Sequence, residues 1–329
     1  NMKISRRSAL QAGLGTLLLP TLGSTAQAAT PALARIYIGF PAGGSVDAVS
    51  RHIASKLQPN YARSVIVESK PGASGQIVVQ SLKTAANDGL SMLLTPMSIL
   101  GVFPHTYKRI AYDPLKDLQP VSRCVSYNYG FAVGPAVPAS VTTVPQFMDW
   151  VKQNPDKASF GSGSTGSTLH FVGILLGRAS GVNLTHVGYR GSGQMLTDVA
   201  GGNLAACCGP IGDLLAYENA GRIRVLGTSG EKRSRFLPKV PTFVEAGYKD
   251  MAFTEWYGFY LPLNSTPEQI QQLNRSVVEA LAAPSVVESL SLMGMEVASS
   301  TPQELDALLK ADYLRWEKLV KSVGFTADT

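Results

Sequence analysis

The stretch Phe40-Pro41-Ala42-Gly43-Gly44-Ser45-Val46-Asp47 decides how this chain reads. Ahead of it, Ala34-Arg35-Ile36-Tyr37-Ile38-Gly39 has the make-up of a short, buried β-strand. Behind it, Val49, Ile53 and Leu57 recur every four residues, the stripe of an amphipathic helix. A strand therefore runs into a Gly-Gly turn, and the turn opens a helix. Two glycines let the backbone bend tightly and leave its N–H groups uncovered. Ser45 is placed to cap the helix. Free N–H groups and the positive end of the helix dipole favour a small anion over the turn, such as a carboxylate. A plain strand-to-helix turn, with Asp47 merely complementing the dipole, fits this stretch equally well.

Further along, strand and helix alternate. Ser64 to Glu68 is strand-like, Lys70-Pro71-Gly72-Ala73-Ser74-Gly75 is a second glycine turn, and Gln76 to Ala86 reads as a helix. Ser91 to Thr95 is another buried strand. Such βαβ alternation predicts a mostly parallel sheet covered by helices. A strand through Tyr127 to Val133 leads into a new unit, where Ala158-Ser159-Phe160 precedes the loop Gly161-Ser162-Gly163-Ser164-Thr165-Gly166-Ser167-Thr168. That loop opens an apolar helix, Leu169 to Ala179, and repeats the logic of the opening stretch. Ile223 to Thr228 reads as a central strand, and the aromatic run Phe253 to Pro262 reads as a return crossing. Two helices close the chain, each announced by Thr-Pro with a Gln or Glu at the third helical position. The pattern predicts an α/β protein of two lobes joined by two crossings, near residues 130 and 253. Lobe 1 comprises 29–130 plus 254–329, and lobe 2 comprises 131–253.

The first 28 residues read as an export signal. Lys3, Arg6 and Arg7 precede an apolar run, and Ala26-Gln27-Ala28 supplies small residues for cleavage after Ala28. The pair Arg6-Arg7 suggests the twin-arginine route. Those three cations belong to a total of 29, so a chain starting at Ala29 carries 26 basic against 23 acidic residues, a net +3. That balance, without a basic stripe, argues against a nucleic-acid partner. The hydrophobic fraction of 45% is ample for real cores. Cys124, Cys207 and Cys208 are read as buried free thiols, with a bridge from Cys124 to one of the pair as the alternative. No Cys/His spacing predicts a metal, and no cofactor is expected.

Several catalytic motifs are approached and missed. Gly161-x-Gly163-x-x-Gly166 matches the dinucleotide fingerprint, yet Gly181 to His186 lacks the acidic residue that should follow. Ser167 stands where a phosphate-binding loop needs lysine. The run Gly72-Ala73-Ser74-Gly75-Gln76 lacks the last glycine of a nucleophile elbow. His170 could partner a loop serine, which keeps an exported serine hydrolase as a rival reading.

Five motifs occur in one order: the opening stretch, Pro71-Gly72-Ala73-Ser74-Gly75, Tyr112-Asp113-Pro114, Gly188-Tyr189-Arg190-Gly191, and Leu237-Pro238-Lys239-Val240-Pro241-Thr242 with Glu245-Ala246-Gly247. As a set they resemble the Bug-type periplasmic receptors of tripartite tricarboxylate transporters, over essentially the whole chain after the signal. The resemblance implies a type II periplasmic-binding-protein fold, with a ligand closed between the lobes. It implies a non-enzymatic, monomeric, periplasmic receptor that hands a small organic acid to membrane transporter subunits. An orphan receptor or sensor of the same fold is the third reading. Carried over, the ligand carboxylate would be held by Gly43, Gly44, Ser45 and Asp47, and by Ser164, Thr165, Gly166, Ser167, Thr168 and His170. Three departures affect the ligand's other end. Leu169 replaces a polar residue, Ile174 replaces a glutamate, and Cys208-Gly209-Pro210 replaces a segment that commonly carries an aspartate.

Overall fold

The computed structural model describes residues 29–326, so the expected export signal lies outside the described residues. The chain begins with β1 (Leu33–Ile38), α1 (Ser45–Leu57), β2 (Ser64–Ser69), α2 (Gln76–Lys83) and β3 (Ser91–Pro96). A π-turn over Ser98–Val102 runs into the short α3 (Phe103–Thr106), and β4 (Leu118–Tyr127) leads to the first crossing. The second lobe holds β5 (Tyr129–Val133), α4 (Val144–Gln153), β6 (Ser159–Ser162), α5 (Thr168–Ala179) and β7 (Thr185–Gly188). It continues through α6 (Ser192–Ala200), β8 (Ala206–Pro210), α7 (Ile211–Asn219) and β9 (Arg224–Thr228). After the second crossing come β10 (Glu255–Pro262), α8 (Pro267–Ala282), α9 (Pro284–Leu292), β11 (Glu296–Val297) and α10 (Pro302–Val323).

Two sheets result, in the orders β11-β4-β10-β3-β1-β2 and β7-β6-β8-β5-β9. They are mixed rather than mostly parallel. β1 pairs in parallel with β2 and β3, and β6 with β7 and β8. The crossing strands β5 and β10 run antiparallel to both of their neighbours. The physical reason is where they start. Each enters its sheet at the hinge, where the parallel strands end, so Tyr129 lies opposite Pro210 and Tyr257 opposite Pro96. The carboxyl ends of β1, β3, β6 and β8 therefore meet the starts of β5 and β10 in one zone between the lobes.

Local signals account for most boundaries. Thr266 with Gln269, and Thr301 with Glu304, form complete capping boxes, each followed by proline in the first turn. Leu305, Leu309, Trp316 and Val320 bury the inner face of α10. Ile36, Ile38, Met92 and Leu94 are fully buried in the first sheet and pack with Val49, Ile53, Leu273 and Val277 of α1 and α8. The three cysteines are free and buried, Cys124 in the first sheet and Cys207 and Cys208 in the second. Separate sheets hold Cys124 and the pair, and the bridge weighed from sequence is absent. Among the described residues no helix is long and apolar enough to cross a membrane.

Candidate functional site

A cavity of about 760 Å³ opens between the lobes. Its first-lobe wall is the turn Phe40 to Val46, with Ser98, Ile99 and Phe103 after β3. Its second-lobe wall includes Gly163, Ser164, Ser167 and Leu169, then Arg190 to Gly193, Pro210 and Asp213. Tyr127, Tyr129, Glu255 and Tyr257 line it at the hinge. Helices α1, α5, α6 and α7 all begin along this lining. Their first turns leave N–H groups unclaimed by the helix, and their positive dipole ends favour an anion.

Of the ten residues expected to touch a ligand, Gly43, Gly44, Ser45, Ser164 and Ser167 line the cavity. The other five are not among its lining residues, and two of them bond their own loops. Asp47 turns back to accept the Gly43 N–H at 2.9 Å and pairs with Arg51 at 2.9 Å. The hydrogen bond from Arg51 is the main influence holding its pKa low, reinforced by the Gly43 N–H and the Arg51 charge against the opposing effect of burial. His170 does the same in the other loop, its Nδ1 accepting the Gly166 N–H at 3.0 Å. Asp47 and His170 are each the third residue of their helix, and each reaches back four positions to a glycine with positive φ, +89° at Gly43 and +76° at Gly166. One device thus fixes both loops from behind. Gly166 is spent on this bond. Thr168 is buried beneath the loop beside Tyr129, and Thr165 is exposed with its hydroxyl packed toward Gly188. Gly44, not Ser45, is the N-cap of α1, and the Ser45 hydroxyl instead bonds the Tyr257 hydroxyl at 2.9 Å.

Replacing Asp47 with alanine is expected to cost about 1–2 kcal/mol of stability, because the Gly43 N–H loses its charged acceptor. Arg51 is largely exposed, so Arg51→Ala should cost under about 1 kcal/mol. Urea unfolding of the two variants checks the order.

His170 stacks on His186, with ring centres 3.7 Å apart, and His186 Nε2 bonds the Ser162 hydroxyl at 2.8 Å. Burial pushes the His170 pKa down to about 3, helped by His186, and burial pushes His186 down to about 4. Both are neutral in the fold and ionise on unfolding below their ordinary 6.5. Their contribution is complete above pH 6.5 and is lost as pH falls toward about 4. Glu255 acts oppositely, since burial lifts its pKa to about 7 and stability is gained as pH falls from there toward 4.5. Comparison with a variant separates the two. His186→Phe should lose less melting temperature than wild type between pH 6.5 and 4.5, as thermal unfolding at both values would record.

The hinge residues escaped the sequence reading. Glu255 is 1% exposed and accepts from the Ser98 N–H at 3.1 Å, the Ser98 hydroxyl at 2.6 Å and the Tyr129 hydroxyl. It thereby ties the turn after β3 to the first strand of the second lobe. Tyr127 sets its ring edge-on to Tyr129 and to Tyr257, with centres 5.8 and 5.6 Å apart. A lone acid in the otherwise apolar run Glu255-Trp256-Tyr257-Gly258-Phe259 was the available signal, since an acid is rarely buried without a partner. Arg190 also lines the cleft, so a cation is available there although neither glycine loop carries one. The pairing of His170 with a loop serine is not formed among the described residues, since Nδ1 of His170 accepts the Gly166 N–H. Among the described residues no group of three or more His, Cys, Asp or Glu could hold a metal ion.

Two α/β lobes, two crossings and a cleft at the strand ends are the architecture of periplasmic binding proteins. The chain belongs to the tripartite tricarboxylate transporter receptor family (TctC), whose model matches residues 49–325. The UPF0065 protein in the tcbD-tcbE intergenic region of Pseudomonas sp. (strain P51) is 31% identical over 292 residues, 88% of this chain and 86% of the relative. The structure of R. palustris Rpa4515 with adipate superposes with a TM-score of 0.81 at 28% identity, over 89% of this chain and 98% of that one. Periplasmic binding protein BugD superposes with a TM-score of 0.79 at 27% identity, over 90% and 99% of the two chains. The family is one of transporter receptors, and BugD is a periplasmic binding protein.

Proposed function

We propose that this chain is an exported receptor that captures a small carboxylate-bearing organic acid and presents it to the membrane subunits of a tripartite tricarboxylate-type transporter. The observation that carries the reading is the convergence on one cleft of two glycine-serine loops, each opening a helix. The ligand carboxylate sits between Gly43-Gly44-Ser45 and Ser164 with Ser167, met by backbone N–H groups, hydroxyls, bridging waters and helix dipoles. Asp47 and His170 hold the loops rather than the ligand. The lobes, 29–130 plus 254–329 and 131–253, close about the hinge without covalent chemistry. The chain works as a periplasmic monomer after removal of residues 1–28, exported by the twin-arginine route. Adipate bound to the Rpa4515 structure supports an acid of this kind.

Native mass spectrometry of protein purified from the periplasm without refolding tests the proposal. A small acid should ride along non-covalently, and its mass should be unchanged after long incubation with the protein. Turnover of the ligand, or labelling of a serine by a fluorophosphonate probe, would refute the receptor reading.

A further inference from the structure

Away from the two anchor loops, the cleft commits its hydroxyls to the protein's own groups. Glu255 takes the Ser98 hydroxyl at 2.6 Å and the Tyr129 hydroxyl. Asp213 takes the Ser192 hydroxyl at 2.5 Å, and the Tyr257 hydroxyl is engaged with Ser45 at 2.9 Å. Arg190 is the single lining cation among the described residues. It is exposed, as are Asp213 and Ser74. A guanidinium in water holds a carboxylate weakly. The enclosed ionisable group is Glu255, an acid, which supplies no counter-charge. The starts of α6 and α7 already face the Asp213 carboxylate, which Ser192 holds between them. A second ligand carboxylate would therefore leave water for a place without an enclosed partner, and that is costly.

What the cleft does offer is apolar surface, and it lies beside the anchors. Phe40 stands three residues before Gly43, and Leu169 stands two residues after Ser167. One belongs to each lobe. Both are half-buried, packed on the core with part of the side chain uncovered. The Tyr127 ring at the hinge is half-buried in the same way. Ile99 and Phe103 of the first lobe and Leu196 of the second extend the apolar lining. Uncovered apolar surface in a cleft is what a ligand's hydrocarbon can bury, and that burial is a main source of affinity.

We infer, resting on the carboxylate reading above, that the ligand is a monocarboxylate with a hydrocarbon or aromatic body, and that Phe40 and Leu169 set this preference over a dicarboxylate. The body lies between these two side chains, one from each lobe, with the Tyr127 ring at the hinge end. Every methylene or ring carbon covered there adds affinity. A second carboxylate in the same place covers similar area but brings a charge that nothing enclosed balances.

Calorimetry on protein purified from the periplasm and dialysed free of small acids tests this with two size-matched pairs, hexanoate against adipate and 4-methylbenzoate against terephthalate. The monoacid of at least one pair should bind about tenfold or more tighter than its diacid. Leu169→Gln should bring that ratio below about threefold, because the side chain loses apolar area and gains a donor for a second carboxylate. The ratio, unlike either affinity, is not moved by a partly unfolded sample, and the melting temperature checks the fold. Diacids that bind equally or better to the wild type would overturn the inference. So would a ratio that survives in Leu169→Gln, or binding by none of the four acids. The carboxylate reading is tested separately, with hexanamide or 4-methylbenzamide to match the acid that binds. An amide that binds as tightly as its acid would overturn that reading.

Discussion

Gly44→Val is expected to weaken ligand binding by about 2 kcal/mol or more, roughly thirtyfold, with a smaller effect on the fold. Gly44 has φ of −81°, so a side chain is not excluded by the backbone. A Cβ built there meets nothing nearer than the Pro41 carbonyl at 3.7 Å. The added bulk therefore fits the protein and projects into the cavity that Gly44 lines. A ligand carboxylate could no longer approach the turn's N–H groups, and those hydrogen bonds would be lost together. Valine is a poor N-cap, which should cost about 1 kcal/mol of stability. Gly43 provides the contrast. Its φ of +89° strains any side chain, so Gly43→Val should damage loop and fold together. Calorimetry and urea unfolding on both variants separate the two effects.

Trp316→Ala is expected to cost about 3–5 kcal/mol of folding stability, the largest loss among the substitutions considered. Trp316 belongs to α10, which returns to the first lobe, and it is 1% exposed. Its ring lies against Phe253 of the second crossing, with centres 5.2 Å apart, and against Phe171 of α5 at 5.7 Å. Around it, Arg315 donates to the Asp250 carbonyl at 3.2 Å, and Arg178 of α5 donates to the Ser322 carbonyl at 2.5 Å. The last helix thus braces one lobe against the other beside the two crossings. Truncation leaves a cavity at that brace, and α5, which carries the second anchor loop, loses its backing. Equilibrium unfolding in urea, followed by circular dichroism, should show a much lower midpoint.

The anchor loops were legible because strand, glycine turn and helix follow one another within about a dozen residues, and each leaves a local pattern. The capping boxes at Thr266 and Thr301 were legible for the same reason. β4 left no such pattern. Pro120 and the irregular run Leu118-Gln119-Pro120-Val121-Ser122-Arg123 hide its pairing with β10. The hinge cluster left one local trace, the lone acid Glu255 in an apolar run, but its partners could not be read locally, since register alone sets Glu255 opposite Tyr127. Asp47 and His170 show what motif position leaves open. Motif position placed them in the loops correctly, but spacing does not say which way a side chain turns. Both accept from a glycine N–H of their own loop, and Asp47 also accepts from Arg51. Leu169 lines the cleft, as its place in the motif implied, whereas Ile174 packs against the core.

The most direct test of the account is a crystal structure of the protein with the acid it carries from the periplasm. The ligand carboxylate should lie within hydrogen-bond distance, directly or through one water, of both the Gly43-Gly44-Ser45 turn and the Ser164–Ser167 segment. A carboxylate bound to Arg190, with both glycine loops making no contact to the ligand, would contradict it.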